Sequence, residues 1–195
     1  MINLNARHLK SRYKNFGNAL SNFNEKNKGV NMTRYYDGAS PSDLWAVPSL
    51  GIDPATGREV FLTKDGHHTF VHNYQDEVVV GNSDPDLEGI IGTSVYYKGF
   101  TANIALRYRV GGQIFMQTLY NKVENIPFQM LGMNQDKRAL TDRWQKPGDN
   151  ARFKSIKEIT SNPMSSRFVE DNNVLAGESI SIGYENTSAG WIKAL

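Results

Sequence analysis

The residues in this chain that could do chemistry are few, and most of them fall in turns. His67, His68 and His72 lie close together, but neighbouring strand residues point to opposite faces. Cysteine is absent, and no nearby carboxylate set completes a four-ligand site. They read as loop histidines. Asp53, Asp65, Asp84 and Asp86 stand beside glycines and prolines. Calcium needs several oxygens converging on one point, whereas aspartate beside glycine or proline is ordinary turn chemistry. There is no nucleophile motif, HExxH, phosphate loop or dinucleotide fingerprint, and no carboxylate pair that falls on one site. No catalytic residue, metal or cofactor is expected, and the chain does not read as an enzyme. Two other sets remain. Asn103, Arg107 and Arg109 share one side of an alternating run. Tyr35, Tyr36, Trp45 and Trp144 lie in long irregular stretches, where they could stack on a sugar or pack a loop against itself.

The element that must position the arginines is Asp86 to Gly112, DLEGIIGTSVYYKGFTANIALRYRVGG. Two alternating runs meet at Lys98-Gly99. Phe100, Ala102, Ile104, Leu106, Tyr108 and Val110 share one face; Thr101, Asn103, Ala105, Arg107 and Arg109 share the other. In the first run Leu87, Gly89, Ile91, Thr93, Val95 and Tyr97 lie opposite Glu88, Ile90, Gly92, Ser94, Tyr96 and Lys98. The pattern predicts a hairpin with a two-residue turn. Each strand is about ten residues, the length a tilted strand needs to cross a bilayer.

Around this hairpin the chain is less regular. Residues 2–8 begin as a strand. Phe16, Ala19, Leu20 and Phe23 predict an amphipathic helix of about three turns ending near Gly29. From Val30 to Glu77 the sequence is aromatic and turn-rich. Gly51–Gly57 is a turn, and Glu59–Thr63 with Thr69–His72 could form a hairpin across Lys64-Asp65-Gly66. Gln113–Asn125 fits helix or strand equally. Asn134–Phe153 is polar and turn-rich. Glu178–Tyr184 alternates again, and a last apolar stretch begins at Trp191. Both ends read as cut.

Composition narrows the classes. Hydrophobic residues are 39% of the 195, and no apolar run approaches the roughly 20 residues of a membrane helix. A membrane β-barrel is not excluded, because its signal is alternation. The net charge is +2 with both signs dispersed, so no nucleic-acid footprint is present. There is no signal-peptide pattern. Long connections (roughly 15–85 and 111–175) flank the tight turn at Lys98-Gly99. Alternate long and short connections are those of a membrane barrel, with the short turns periplasmic.

Several segments together resemble one family. YYKGF after an alternating strand, preceded by GNSDPDLEG, is similar to the C-terminal barrel region of SusC/RagA TonB-dependent outer-membrane transporters. So are Trp45–Phe61, Asp136–Lys154 and Ser165–Glu185. The resemblance implies an all-β fold with minor helix in loops, antiparallel strands of a partial transmembrane β-barrel with long extracellular loops. It implies that residues 1–195 are a fragment of the barrel domain, without plug domain, TonB box or signal peptide. It implies the bacterial outer membrane as location. It also implies import of oligosaccharides or peptides beneath a SusD-like lipoprotein, energised through a TonB complex that acts on a missing N-terminal part. Asn103, Arg107 and Arg109 would face the lumen, lining the solute path, meeting the plug or only bracing the wall. Tyr35, Tyr36, Trp45 and Trp144 would lie in outer loops. The sequons at Asn31 and Asn186 are treated as chance. Asn173–Gly177 is looser than the family's usual strand start. The rival reading is a soluble all-β carbohydrate-binding module, in which the Phe100 face would be covered by a second sheet. A surface adhesion protein is a third reading.

Overall fold

A computed structural model of the chain describes residues 1–158 and 160–186. In chain order it contains β1 (Ile2–Arg7), α1 (Ser21–Asn27), β2 (Asp43–Ala46), β3 (Ser49–Ile52), β4 (Glu59–Leu62), β5 (His68–Thr69) and β6 (Val78–Asn82). Then follow β7 (Leu87–Tyr97), β8 (Phe100–Val110), β9 (Gln113–Phe115), α2 (Arg138–Thr141), β10 (Val169–Asp171) and β11 (Val174–Tyr184). The fold is mostly antiparallel β with minor helix. The chain divides into two compact units. The sequon at Asn186-Thr187-Ser188 runs past the described residues, and the apolar stretch from Trp191 lies wholly outside them.

The first unit holds Met1–Lys10, Asp84–Gly112 and the segment from Asn172 onward. Its strands form one antiparallel sheet in the order β1-β7-β8-β11. The β7–β8 hairpin turns through Lys98 (φ 47°) and Gly99 (φ 85°). Positive φ at both positions defines the turn whose twist matches that of its strands. Register carries the two-faced pattern across all four strands. Ile2, Thr93, Ile104 and Ile180 stand side by side, as do Val95, Ala102 and Ile182, and then Tyr97, Phe100 and Tyr184. The opposite face repeats Asn5, Ile90, Arg107 and Ala176, then Arg7, Glu88, Arg109 and Val174. The sheet is open, with β1 and β11 as its edges among the described residues.

The apolar face is not a core. Phe100 is 57% exposed, Ile180 70%, Ile182 79% and Tyr184 61%. Among the described residues no second sheet covers them, which is the arrangement the sandwich reading does not allow.

The second unit is built from both long connections, Ser11–Ser83 and Gln113–Asp171. They interlock. Val47 bridges Ser165 in parallel, and the Ser49 amide donates to Ser166 Oγ at 2.8 Å. The core gathers Leu119, Val123, Ala139, Phe153 and Phe168, with Phe115 and Tyr120 packed against it. The unit also holds three short sheets, β2–β6, β3–β4–β5 and β9–β10.

Three local expectations are corrected. The helix is the seven-residue α1, and it buries Asn24 while Phe23 stays exposed. Asn15 (φ 66°) and Gly17 (φ 52°) are left-handed, and the Asp37 carboxylate accepts the amides of Phe16 and Gly17. That holds residues 15–17 out of a helix. The small hairpin forms, but its second strand is His68–Thr69 rather than Thr69–His72. Gln113–Asn125 takes both forms in turn, with β9 followed by a helical turn over Leu119–Glu124.

Candidate functional site

The polar face of the sheet carries the predicted residues of the first unit. At the end away from the tight turn it forms a depression of about 690 Å³, lined from all four strands. Glu88 lies between two guanidiniums, 3.6 Å from Arg7 and 3.5 Å from Arg109. Arg107 donates to Glu178 at 2.7 Å. Asn103 lies further along the same face, toward the turn, opposite Ser94 and Ser181. These pairs are well exposed, so solvent screens them and each stabilises by less than about 1 kcal/mol. They make a wettable, charged wall rather than a reaction centre. Glu178 sits at a register shift between Gly177 and Ser179. The extra residue of such a bulge can re-aim a side chain, and here the carboxylate reaches the arginine face.

The four aromatic candidates do not form one surface. Tyr36 and Trp45 meet at 5.2 Å between ring centres. Tyr35 packs on Tyr13 and Phe23, each at 5.5 Å, and its backbone is held on both sides by the Asn24 amide. Trp144 lies over Gly57, where a Cβ would collide with the indole. Its Nε1 donates to the Pro54 carbonyl at 2.9 Å. Gly57 has φ +69°, so glycine is required there twice over.

Of the turn aspartates, Asp53 accepts from the Ala55 and Thr56 amides and from Thr56 Oγ1 at 2.6 Å, as its neighbours suggested. His67 and His68 lie on the hairpin, while His72 packs edge-on against Phe61 and Tyr74. Among the described residues no His, Asp and Glu group has metal-ligand spacing.

Sequence reasoning missed the polar centre of the second unit. Arg167 reaches Glu59 Oε2 at 3.0 Å and Glu124 Oε1 at 2.7 Å. Asn162 Nδ2 donates to the same two oxygens, each at 2.8 Å. Ser165 Oγ donates to Glu59 Oε1 at 2.5 Å. Side-chain exposures are 8% for Arg167, 2% for Glu59 and 0% for Glu124. Arg143 donates to the carbonyls of Val123, Glu124 and Lys154. Elsewhere in the unit, buried Arg34 grips Glu77 with two hydrogen bonds of 3.0 and 2.7 Å. The one available signal was charge beside aromatics in stretches that otherwise read as loop, as at Arg167-Phe168.

Burial sets the titration of these groups. It opposes the charge on Arg167, but the Glu59 and Glu124 carboxylates outweigh it and hold the guanidinium above its ordinary range. Burial pushes the Lys154 ammonium down despite Glu124 and Glu158. It also lowers His72, against the pull of Glu59 and Asp76.

The fold thus defines an antiparallel β chain with an uncovered two-faced sheet and a separate unit with a charged interior. Neither a family model nor a curated protein matches the sequence. Solved structures match the fold. A chain of the RagAB peptide importer in its open-open state has a TM-score of 0.68 over 94% of this chain, at 16% identity. The closed-closed state of that importer gives 0.62 over 76% at 17% identity. A structure of the RagAB peptide transporter gives 0.61 over 76% at 16%. The chain spans 17–19% of the length of these chains. At such identities the likeness is one of fold.

Proposed function

We propose that the chain is part of a SusC/RagA-type, TonB-dependent outer-membrane transporter and has no catalytic role. The observation that carries this reading is the sheet, whose 11-residue strands β7, β8 and β11 leave an apolar face exposed. A strand tilted by about 45° needs roughly 9–11 residues to cross the hydrocarbon layer. The row Tyr97, Phe100, Tyr184 beside the tight turn fits the aromatic girdle at one membrane surface. In this reading the residues are a piece of the C-terminal barrel, in the bacterial outer membrane. Lys98-Gly99 is the periplasmic end, and Asn103, Arg107 and Arg109 face the lumen. The second unit is extracellular, carries Tyr35, Tyr36, Trp45 and Trp144, and is where a SusD-like lipoprotein would engage. The solute is an oligosaccharide or peptide, the latter being what the RagAB structures import, with energy from TonB. The fold likeness supports this reading.

The cysteine-free sequence makes the test direct. Nitroxides are placed at single cysteines, Asn103→Cys, Ile104→Cys, Ser181→Cys and Ile182→Cys, in a complete barrel that carries these residues, held in lipid vesicles. The expected result is that labels at 104 and 182 collide with oxygen and are shielded from an aqueous nickel complex, while 103 and 181 do the reverse. Water contact at all four positions overturns the membrane reading.

A further inference from the structure

The second unit has a cleft of about 340 Å³ that the barrel reading does not use. It is at the lower end of the range for small-molecule sites, about 300–1,000 Å³. Phe61 and Phe70 give it apolar walls. Arg58 lies at its mouth with the guanidinium 5.0 Å from the Phe70 ring centre. Among the described residues that guanidinium has no hydrogen bond or ion pair. Lys154 is buried yet spends its ammonium on a single acceptor, the Thr160 carbonyl. His72 Nε2 faces no partner.

The acids nearby are occupied. Glu59 is shared by Arg167, Asn162 and Ser165. Glu158 accepts from the Thr160 amide and hydroxyl. The lining thus offers two cations, Arg58 and Lys154, beside two aromatic walls, while its two carboxylates, Glu59 and Glu158, already accept hydrogen bonds from within the protein.

We infer that this cleft binds a small carboxylate carrying an apolar group, with the carboxylate taken by Arg58 and Lys154 and the apolar group seated on Phe61 and Phe70. A guanidinium above an aromatic face is already oriented for a carboxylate, and an apolar group displaces water from the phenyl walls. The chemistry is that of an N-acylated apolar amino acid or of the C-terminus of a short peptide. It does not depend on whether the sheet lies in a membrane.

The test is calorimetric titration of the full chain, in detergent, with N-acetyl-leucine, its uncharged amide, acetate and Gly-Gly-Leu. The acid should bind about tenfold or more tighter than the amide, the size of one charge-assisted hydrogen bond, and tenfold tighter than acetate. Gly-Gly-Leu binding at least as well as N-acetyl-leucine identifies a peptide terminus; weaker binding identifies a free acid, and both support the assignment. Arg58→Gln, at an exposed position, and Phe70→Ala should each lower the affinity about tenfold while the melting temperature holds. Equal affinity for acid and amide, no binding of either, or an unaffected Arg58→Gln variant overturns the proposal. The nitroxide pattern on the sheet is read separately, so failure here leaves the membrane reading standing.

Discussion

Arg167→Met should be the most damaging single change in the second unit. The guanidinium holds two carboxylates that water barely reaches, with side-chain exposures of 2% for Glu59 and 0% for Glu124. Removing one partner of a buried ion set costs about 3–5 kcal/mol, because the remaining charge is left uncompensated. Asn162 and Ser165 still donate to the acids, but a neutral donor cannot balance charge. The assay is urea unfolding in a Trp191→Phe background, in detergent, followed by the fluorescence of Trp45 and Trp144. Both tryptophans lie in this unit. With a slope of about 1–3 kcal/mol per molar urea, the midpoint should fall by about 1–5 M. Arg167→Lys should fall between, since it keeps the charge but loses the planar fork. Adding Glu59→Gln and Glu124→Gln to Arg167→Met should recover more than half the loss. A single variant within about 1 kcal/mol of the parent, or a triple variant no better than the single, would show that the network is not held by charge.

Three further outcomes are expected. Ile104→Arg should destabilise a complete lipid-inserted barrel carrying these residues by about 2–4 kcal/mol, while Asn103→Arg beside it should cost less than about 1 kcal/mol, measured by denaturant titration in vesicles. His72 is held below its ordinary value by burial, so the unfolded state takes up its proton first as the solution is acidified. Stability of the second unit should therefore be lost as pH falls through 6.5 toward the folded value, and His72→Phe should flatten that part of a pH-dependent melting series. Gly57→Ala should cost at least about 1–2 kcal/mol from the left-handed backbone alone, and the indole it displaces should shift the Trp144 emission.

What the sequence made legible was the sheet, because its physics is local. Alternation over Phe100–Val110 and a turn with glycine at its second position specify strand, partner and register together. The alternation of Ile2, Leu4 and Ala6 marked β1 for the same reason. β11 was only half legible. Its period breaks where Glu178 is inserted between Gly177 and Ser179, so Val174 to Gly177 did not read as strand. The helix expected from Phe16 failed because a distant residue, Asp37, organises its first turn. The polar centre was illegible for a deeper reason. Glu59 and Arg167 are far apart in the chain, and a buried charge has no periodicity; it becomes interior only when its partner arrives. The packing of the aromatic candidates was illegible in the same way, since composition places Trp144 in a loop but only the fold sets it on Gly57.

The two units solve opposite solvent problems. In the second, charge is inside and hydrogen-bonded, with a small apolar core beside it, which suits a body surrounded by water. In the first, the polar groups line the concave depression and the apolar ones lie outside. The hydrophobic effect acts on area removed from water, so in water this face contributes almost nothing to folding. It becomes stabilising only when an apolar medium covers it. Lipid does so without demanding complementary shape, whereas a protein partner would need a matched surface. Lipid adds a requirement of its own, because it offers no donors or acceptors to the open backbone edges of β1 and β11, and each unpaired group there costs several kcal/mol. The membrane reading therefore requires further strands beside β1 and β11, and the protein in water, with those two strands as the sheet's edges among the described residues, should associate rather than stay monomeric.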